Sequence, residues 1–392
     1  MTALPEGDVA ALVAEATPEE EERTTSYLEL FFDLVFVFAF TQVTALLLED
    51  TSAAGFARAG LVLAMVWWAW SAYAWMTNAI DVESLVTRLI VFAAMAAAFF
   101  AALAVPDAYQ DAGAWFAVSY FTLRILNAAL FTWGVRRDPA LLRATAGLAP
   151  WFVAAALVAL VGGFADGELR PWIWIASLAI DVAGTIVAGR ARWRVSSAHF
   201  AERHGLIVII ALGESVVAIG VGVAELERDR VFALSVLIAL AGVVALWWAY
   251  FDFTAQAAER ALRRAGPEAR GPLARDVFTY FHFPIVLGVV FYAVAAEKTL
   301  AHPTDPLSRA GRWALGLGVA LFLLGFVLAR YRVVRRLALE RVLAGAVAVV
   351  AAVVLDGPDA LVTLAVVVGV LVVAVGLESL RLREVRRSLR AA

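Results

Sequence analysis

The sequence predicts an all-α polytopic membrane protein with about twelve transmembrane helices, arranged as two parallel six-helix halves. Composition is the first reason, since 63% of the 392 residues are hydrophobic, 17% are charged and the mean hydropathy is +0.82. Soluble domains are closer to half apolar. The second reason is that the apolar residues come in separate runs of about 20, the length that a helix needs to cross about 30 Å of hydrocarbon.

The runs divide almost the whole chain. In order, they lie near residues 28–48, 56–77, 85–105, 112–134, 144–164, 171–189, 200–223, 231–253, 276–297, 312–330, 340–356 and 359–380. Only short loops remain between them, so no soluble catalytic domain fits. We therefore predict an acidic N-terminal tail, two six-helix halves and a basic cytoplasmic tail, which are residues 1–26, 27–190, 191–380 and 381–392.

The N-terminal tail contains the run "EEEE" at 19–22 and lacks the basic start and short apolar core of a signal peptide. We predict that it is solvated and disordered. With a cytoplasmic N-terminus, most of the 32 Lys and Arg residues fall in cytoplasmic segments, which predicts both termini inside a bacterial inner membrane. The basic loops would then contact anionic lipids. A net charge of −3 gives no reason to expect nucleic acid as a partner.

The first span carries two carboxylates. Glu29 and Asp33 are four residues apart and so share one helix face, which Phe36, Phe40 and Thr44 continue. A charge at the bilayer centre costs about 2.5–3.5 kcal/mol, so such residues normally face the protein interior or water. For Glu29 we favour a helix-end carboxylate that the macrodipole stabilises. For Asp33, which is deeper, we favour a proton or cation site.

Tryptophan pairs occur in the second span, "LVLAMVWWAW", and in the eighth, "LAGVVALWWAY". They favour an internal repeat of six helices, in which Glu29 would correspond to Glu202. Two interfacial aromatic belts explain the pairs nearly as well. Parallel halves place the working site of transporters between them.

Charged residues also lie within the fourth and sixth spans. Arg124 and Asp181 could neutralise each other in a buried ion pair, a structural role that we favour over transport. Asp33 is the alternative partner for Arg124, because an Arg side chain can extend toward the inner surface.

The seventh span is the richest in polar residues. Glu202, Arg203 and His204 stand at its inner end, and Glu214 lies about two-thirds of the way across. Arg203 and Glu214 are eleven residues apart and project in nearly the same direction. An acid as deep as Glu214, with no base within a turn, suits proton exchange.

His282 lies in the ninth span just before Pro284, which interrupts a helix and frees a carbonyl. This histidine is either a titratable pathway residue or a hydrogen-bonded packing residue. The four histidines are too scattered for a metal site, and cysteine, a phosphate loop and a G-x-S-x-G motif are absent from the sequence. We therefore expect no metal, no cofactor and no catalytic residue.

Four segments resemble the bacterial low temperature requirement A (LtrA) family. They are "ELFFDLVFVFAFTQVT", "HFAERHGLIVIIALGESVVAIG", "WWAYFD" and "HFPIVLGVVFYAVAAEK". The resemblance runs from about residue 23 to 380. It implies a polytopic membrane protein, named for a cold-growth phenotype, whose molecular activity is not established.

The first helix is also similar to the start of helix one in the six-helix-repeat potassium channels of lysosomes and bacteria. Their pattern is close to E-A-F-S-D-G-V-F-A-I-A-I-T, against "ELFFDLVFVFAFT" here. Phe32 replaces the serine, and His204 stands where the second half would have the aspartate. The resemblance implies a pore-lining first helix and, from the doubled form of these channels, a homodimer.

Three functions follow from these observations. The first is a channel or secondary transporter for a cation or small solute, with the polar residues of the first, seventh and ninth spans near the pathway. The second is a membrane-embedded enzyme that modifies a lipid. The third is a non-catalytic sensor or assembly factor. We expect transport rather than catalysis, because charges at several depths suit a path better than a site at one interface.

Overall fold

The structure is a computed structural model that describes residues 24–188, 193 and 195–381. The predicted tails at 1–26 and 381–392 lie almost entirely outside the described residues, as does most of the basic segment 190–194. Within the described part the fold is all-α, and its one β feature is an isolated bridge between Pro306 and Asp359.

Fourteen α-helices and one π-helical segment are described, which we number in chain order. They are α1 Tyr27–Glu49, α2 Ala53–Ala79, α3 Leu85–Leu103, α4 Gly113–Gly134, α5 Pro139–Gly163, α6 Arg170–Ala188, α7 Ser197–Gly222, α8 Arg230–Phe251, α9 Thr254–Arg264, α10 Pro267–Ala274, the π-helix Arg275–Tyr280, α11 His282–Ala301, α12 Arg309–Val334, α13 Leu339–Val354 and α14 Ala360–Arg381.

Each of the predicted runs forms a helix, but only 11 spans in the described part are long and apolar enough to cross a membrane. The run predicted at 340–356 is the exception. It forms α13, whose 16 residues rise about 24 Å, less than the hydrocarbon thickness of about 30 Å. Of the about twelve predicted spans, 11 are thus long and apolar enough by themselves, and the remaining one is a shorter helix.

Serine and aspartate side chains begin several of these helices. Ser26 caps α1, since its hydroxyl accepts a hydrogen bond from the Glu29 backbone N–H, while the Glu29 carboxylate accepts one from the Ser26 N–H. This reciprocal pair is a capping box. It places Glu29 in the first turn of α1, the helix-end position that we favoured from the sequence.

The chain divides into two compact units. The N-terminal unit comprises the described residues up to Glu214 together with 266–275, and so holds α1 to α6, α10 and most of α7. The C-terminal unit comprises residues 215–265 and 276–381. The six-helix halves inferred from the tryptophan pairs stay a prediction.

Large apolar side chains cover the outer faces of both units. Examples are Leu89 and Trp115 in the N-terminal unit, and Val350 and Val373 in the C-terminal unit. Exposing so many large apolar side chains to water would be unfavourable, whereas lipid chains solvate them well. The buried polar side chains described below lie on the inward faces.

The π-helical segment precedes α11 in the C-terminal unit. The sequence predicts that Pro284 interrupts the ninth span. In the structure α11 begins at His282, so Pro284 falls in its first turn, where the missing N–H leaves no hydrogen bond unmade. The irregular backbone lies just before it, at Arg275–Tyr280.

Candidate functional site

Two helices of the N-terminal unit bring four ionisable side chains together. Glu29 and Asp33 lie one turn apart on α1, and His199 and Arg203 lie one turn apart on α7. The exposed fraction is 2% for Glu29 and 0% for the other three residues. We call these four residues the α1–α7 cluster.

Arg203 joins the two carboxylates of the cluster. Its Nη1 donates to Glu29 Oε1 at 2.8 Å, and its Nη2 donates to Asp33 Oδ1 at 2.6 Å. A guanidinium suits this role because its N–H groups point in fixed, divergent directions and its charge is permanent. One positive charge is therefore shared between two acids.

Hydrogen-bond donors surround the Glu29 carboxylate. Ser26 donates from both its backbone N–H and its hydroxyl at 2.9 Å, and His199 Nε2 lies 3.0 Å from Oε1. The Thr77 hydroxyl, which accepts from Arg203 Nη1 at 3.1 Å, also bonds to Glu29. An ionised carboxylate is acceptor-only and satisfies all of these donors at once.

The tautomer of His199 follows from its second neighbour. Asn78 Oδ1 accepts from the Ser196 backbone N–H at 3.0 Å, which orients the amide so that Nδ2 faces His199 Nδ1 at 3.0 Å. Since Nδ2 is a donor, Nδ1 must accept and the ring proton sits on Nε2. His199 thus donates to Glu29 as a neutral imidazole.

Asp33 is satisfied on one oxygen only. Its Oδ1 accepts from Trp70 Nε1 at 2.9 Å as well as from Arg203. Its Oδ2 has no hydrogen-bond partner among the described residues, although it is fully buried. Buried polar atoms normally have partners, so this oxygen requires an explanation.

Aromatic rings close the cluster on one side. The His204 ring contacts the Trp70 ring edge-to-face with centroids 5.0 Å apart, and its Nδ1 donates to the Phe200 carbonyl at 2.8 Å. His204 is completely buried. Glu202 points away, since it is exposed at the end of α7 and accepts a hydrogen bond from the Thr25 N–H at 2.8 Å.

A second contact between the same two helices lies three turns further along α7. Glu214 Oε2 lies 2.5 Å from the Thr41 hydroxyl of α1. The eleven-residue separation from Arg203 corresponds to about 16 Å along the axis. Buried apolar side chains, among them Phe36, Phe40 and Ala211, occupy the two helices between these levels. The cluster and Glu214 are therefore two separate polar sites.

Arg124 and Asp181 meet elsewhere in the N-terminal unit. Arg124 Nη1 and Nη2 donate to the two oxygens of Asp181 at 2.8 and 2.7 Å, and the Phe152 ring lies 3.7 Å from the guanidinium carbon. Trp68 also bonds to Asp181. Arg124 thus pairs with Asp181 and not with Asp33, and each oxygen of Asp181 is occupied.

His282 belongs to the C-terminal unit, where both ring nitrogens have partners. Nδ1 donates to the Val277 carbonyl at 2.9 Å, within the π-helical segment, and Nε2 lies 2.8 Å from the Tyr250 hydroxyl. Two hydrogen bonds to a buried ring are what the packing alternative predicts, and the pathway role of His282 stays a prediction.

Sequence reasoning missed four members of the site: His199, Trp70, Thr77 and Asn78. The available signal for His199 was its position four residues before Arg203, which puts both on one face of α7. Trp70, Thr77 and Asn78 come from α2, and their roles depend on which helix lies beside α1, which periodicity does not give.

Comparison with known proteins identifies the family. The model of the family described as "Bacterial low temperature requirement A protein (LtrA)" matches residues 24–376. The chain belongs to the LtrA family. The match includes α1 and α7, so the whole cluster lies within the part that defines an LtrA protein. The resemblance drawn from the four sequence segments is confirmed.

One curated relative of this LtrA chain is the uncharacterized protein RA0937 of Rhizobium meliloti (strain 1021). It is 33% identical over 298 residues, which cover 72% of this chain and 71% of the relative. The chain is thus a multi-pass membrane protein of a bacterial family, with charged residues buried among its helices.

Proposed function

We propose that this protein is a channel or secondary transporter that moves a cation or small solute across the bacterial inner membrane, with the α1–α7 cluster on the pathway. The observation that supports it is the charge of the cluster. Glu29 and Asp33 together carry two negative charges when ionised, Arg203 carries one positive charge, and the His199 tautomer is neutral. The buried cluster is therefore one positive charge short of balance.

An uncompensated buried charge is costly, so the cluster has to take up one positive charge from outside the protein. A proton or a small cation would supply it. A group that binds and releases such a charge inside a membrane is what ion-coupled movement requires. The Arg124–Asp181 pair has no such need, since it is already balanced.

The proposal includes the topology expected from the basic loops. In this proposal α13 is the short twelfth crossing, both termini are cytoplasmic, the two six-helix halves are parallel, the basic loops contact anionic lipids, and the protein is not an enzyme. With this orientation, the cluster lies near the cytoplasmic end of α1, and Glu214 lies deeper. A homodimer is part of the proposal through the resemblance to the doubled potassium channels.

The test is ion flux into proteoliposomes that contain the purified full-length protein. Potassium, sodium and protons are screened with a pH-sensitive and a potential-sensitive dye, with wild type, Asp33→Asn and Asp252→Asn side by side. Asp252 is a suitable control because it lies at the C-terminal end of α8 and accepts an exposed hydrogen bond from Trp248. We expect flux in wild type and the control and its loss in Asp33→Asn.

Flux that Asp33→Asn leaves unchanged would remove the cluster from the pathway. If wild type moves none of the three ions, the transport proposal fails for these ions. The lipid profile of a deletion strain and a pull-down in mild detergent then test the enzyme and assembly-factor alternatives.

A further inference from the structure

We infer that the α1–α7 cluster holds one exchangeable proton, and that this proton sits on Oδ2 of Asp33 while Glu29 stays ionised. The inference deepens the proposed function, on which it rests, by naming the ion that the cluster binds. It is argued from the hydrogen bonds around each group in turn.

Glu29 is a poor place for the proton. Its neighbours are the Ser26 N–H and hydroxyl, His199 Nε2–H, Arg203 Nη1 and the Thr77 hydroxyl. All five are donors in the arrangement described. A proton on either oxygen of Glu29 would point at another hydrogen and would displace at least one existing bond.

His199 is excluded by the same reasoning. A second ring proton would sit on Nδ1, which faces the Asn78 amide nitrogen at 3.0 Å. Two donors would then oppose each other. Turning the amide over would remove the acceptor of the Ser196 N–H and would set Asn78 Oδ1 against the Ser196 carbonyl, which now lies 3.2 Å from Nδ2.

Asp33 accepts the proton without such a conflict. Both of its donors, Trp70 and Arg203, bond to Oδ1, and Oδ2 has no partner within the described part of the chain. A proton on Oδ2 breaks no hydrogen bond. It also balances the charges, because Glu29 then pairs with Arg203 alone.

Two other ionisable groups lie beside Asp33. They are Glu29 of the same helix and Arg203 of α7, and α2 contributes the uncharged Trp70. His204 of α7 contacts the Trp70 ring. His204 keeps its Nδ1 hydrogen on the Phe200 carbonyl and so meets Trp70 through its ring. The one permanent positive charge beside Asp33 is that of Arg203, which Glu29 already shares.

Release of the proton has a structural consequence. The Oδ2–H bond breaks, the proton passes to water, and the cluster is left with a net charge of −1 in an apolar surrounding. That charge destabilises the arrangement in which the cluster is buried and favours one in which water reaches Asp33. Proton binding therefore favours the buried arrangement of the cluster.

Infrared difference spectroscopy of the full-length protein in lipid nanodiscs tests the inference. Spectra taken between acidic and alkaline pH show the C=O stretch of any carboxyl group that loses a proton. We expect one such band that shifts in D2O and on labelling of aspartate side chains with carbon-13, and that is absent in Asp33→Asn.

Two features keep the test decisive. Aspartate labelling shows in wild type whether the band belongs to an aspartate side chain, and this part of the result does not depend on how Asp33→Asn folds. Glu214→Gln is the matched control, because Glu214 is a second buried acid whose own band would be lost while the aspartate band remains.

Three results would overturn the inference. They are a band that fails to shift with labelled aspartate, a labelled band that survives in Asp33→Asn, and a labelled band that appears only when sodium and potassium are withdrawn. The last would assign a bound cation in place of the proton. An aspartate band in a protein without flux would support the proton site and contradict the transport proposal, so the two claims fail separately.

Discussion

The α1–α7 cluster and the Arg124–Asp181 pair are two ways of burying arginine in the same unit. In the pair, one guanidinium meets one carboxylate, and both oxygens of Asp181 are occupied at 2.7–2.8 Å. In the cluster, one guanidinium meets two carboxylates, and one oxygen of Asp33 has no partner among the described residues.

The difference separates a structural ion pair from a site with unused binding capacity. A pair whose charges balance and whose carboxylate oxygens are both occupied gains nothing from a further proton or cation. The unbalanced cluster does, because the added charge removes a buried excess. Burial of charge alone does not distinguish the two, since Asp33 is 0% exposed and Asp181 is 3% exposed.

The largest expected effect is that of Asp181→Asn. It leaves the Arg124 charge buried without a counter-ion, which costs about 3–5 kcal/mol of unfolding free energy. Asp33→Asn should cost less than about 1 kcal/mol, because the asparagine keeps an acceptor for Trp70 and Arg203 and is uncharged, like the protonated Asp33.

Thermal or denaturant unfolding of both variants in the same detergent measures this contrast. Asp252→Asn serves again as the control for loss of an acid at a helix end. Equal losses in Asp33→Asn and Asp181→Asn would mean that both acids are structural, and the distinction between the two sites would disappear.

Glu29→Gln should reduce the free energy of unfolding by an amount between those of the two variants above. The new amide N–H2 faces the Ser26 and His199 donors, so we expect a loss of about 1–3 kcal/mol. The loss is smaller than for Asp181→Asn because Asp33 can ionise and take over the pairing with Arg203.

The double variant Glu29→Gln/Asp33→Asn checks that explanation. It leaves Arg203 with no counter-ion in the cluster, so its loss should exceed the sum of the single losses by at least about 1 kcal/mol in unfolding experiments. Additive losses would show that the two acids do not substitute for each other.

The sequence predicted the fold class well because the rise per residue and the thickness of the hydrocarbon layer together fix the length of a membrane-crossing helix. It was less exact at α13, whose sixteen residues are fewer than a full span needs. Spacing along one helix also gave the shared faces of Glu29 with Asp33 and of Arg203 with Glu214.

What spacing does not give is which helices are neighbours. Glu29 and His199 are 170 residues apart in the chain, and the sequence alone paired Arg203 with nothing. The tryptophans show the same limit. Two interpretations, repeat or interfacial belt, described the pairs, yet in the first pair Trp67 is buried and Trp68 half-buried, while Trp247 and Trp248 of the second pair are exposed.

The smallest expected effect comes from the two tryptophans that α2 supplies to the acids. Trp70 is one of two hydrogen-bond donors to Asp33. Trp68 is a third donor to Asp181, which already accepts hydrogen bonds from Nη1 and Nη2 of Arg124. Trp70→Phe should therefore cost about 0.5–1.5 kcal/mol, and Trp68→Phe should cost less. Unfolding of the two variants under identical conditions provides the measurement. The reverse order would mean that the hydrogen bonds at Asp33 contribute less to stability than those at Asp181, and that the carboxyl group of Asp33 is held in place by packing instead.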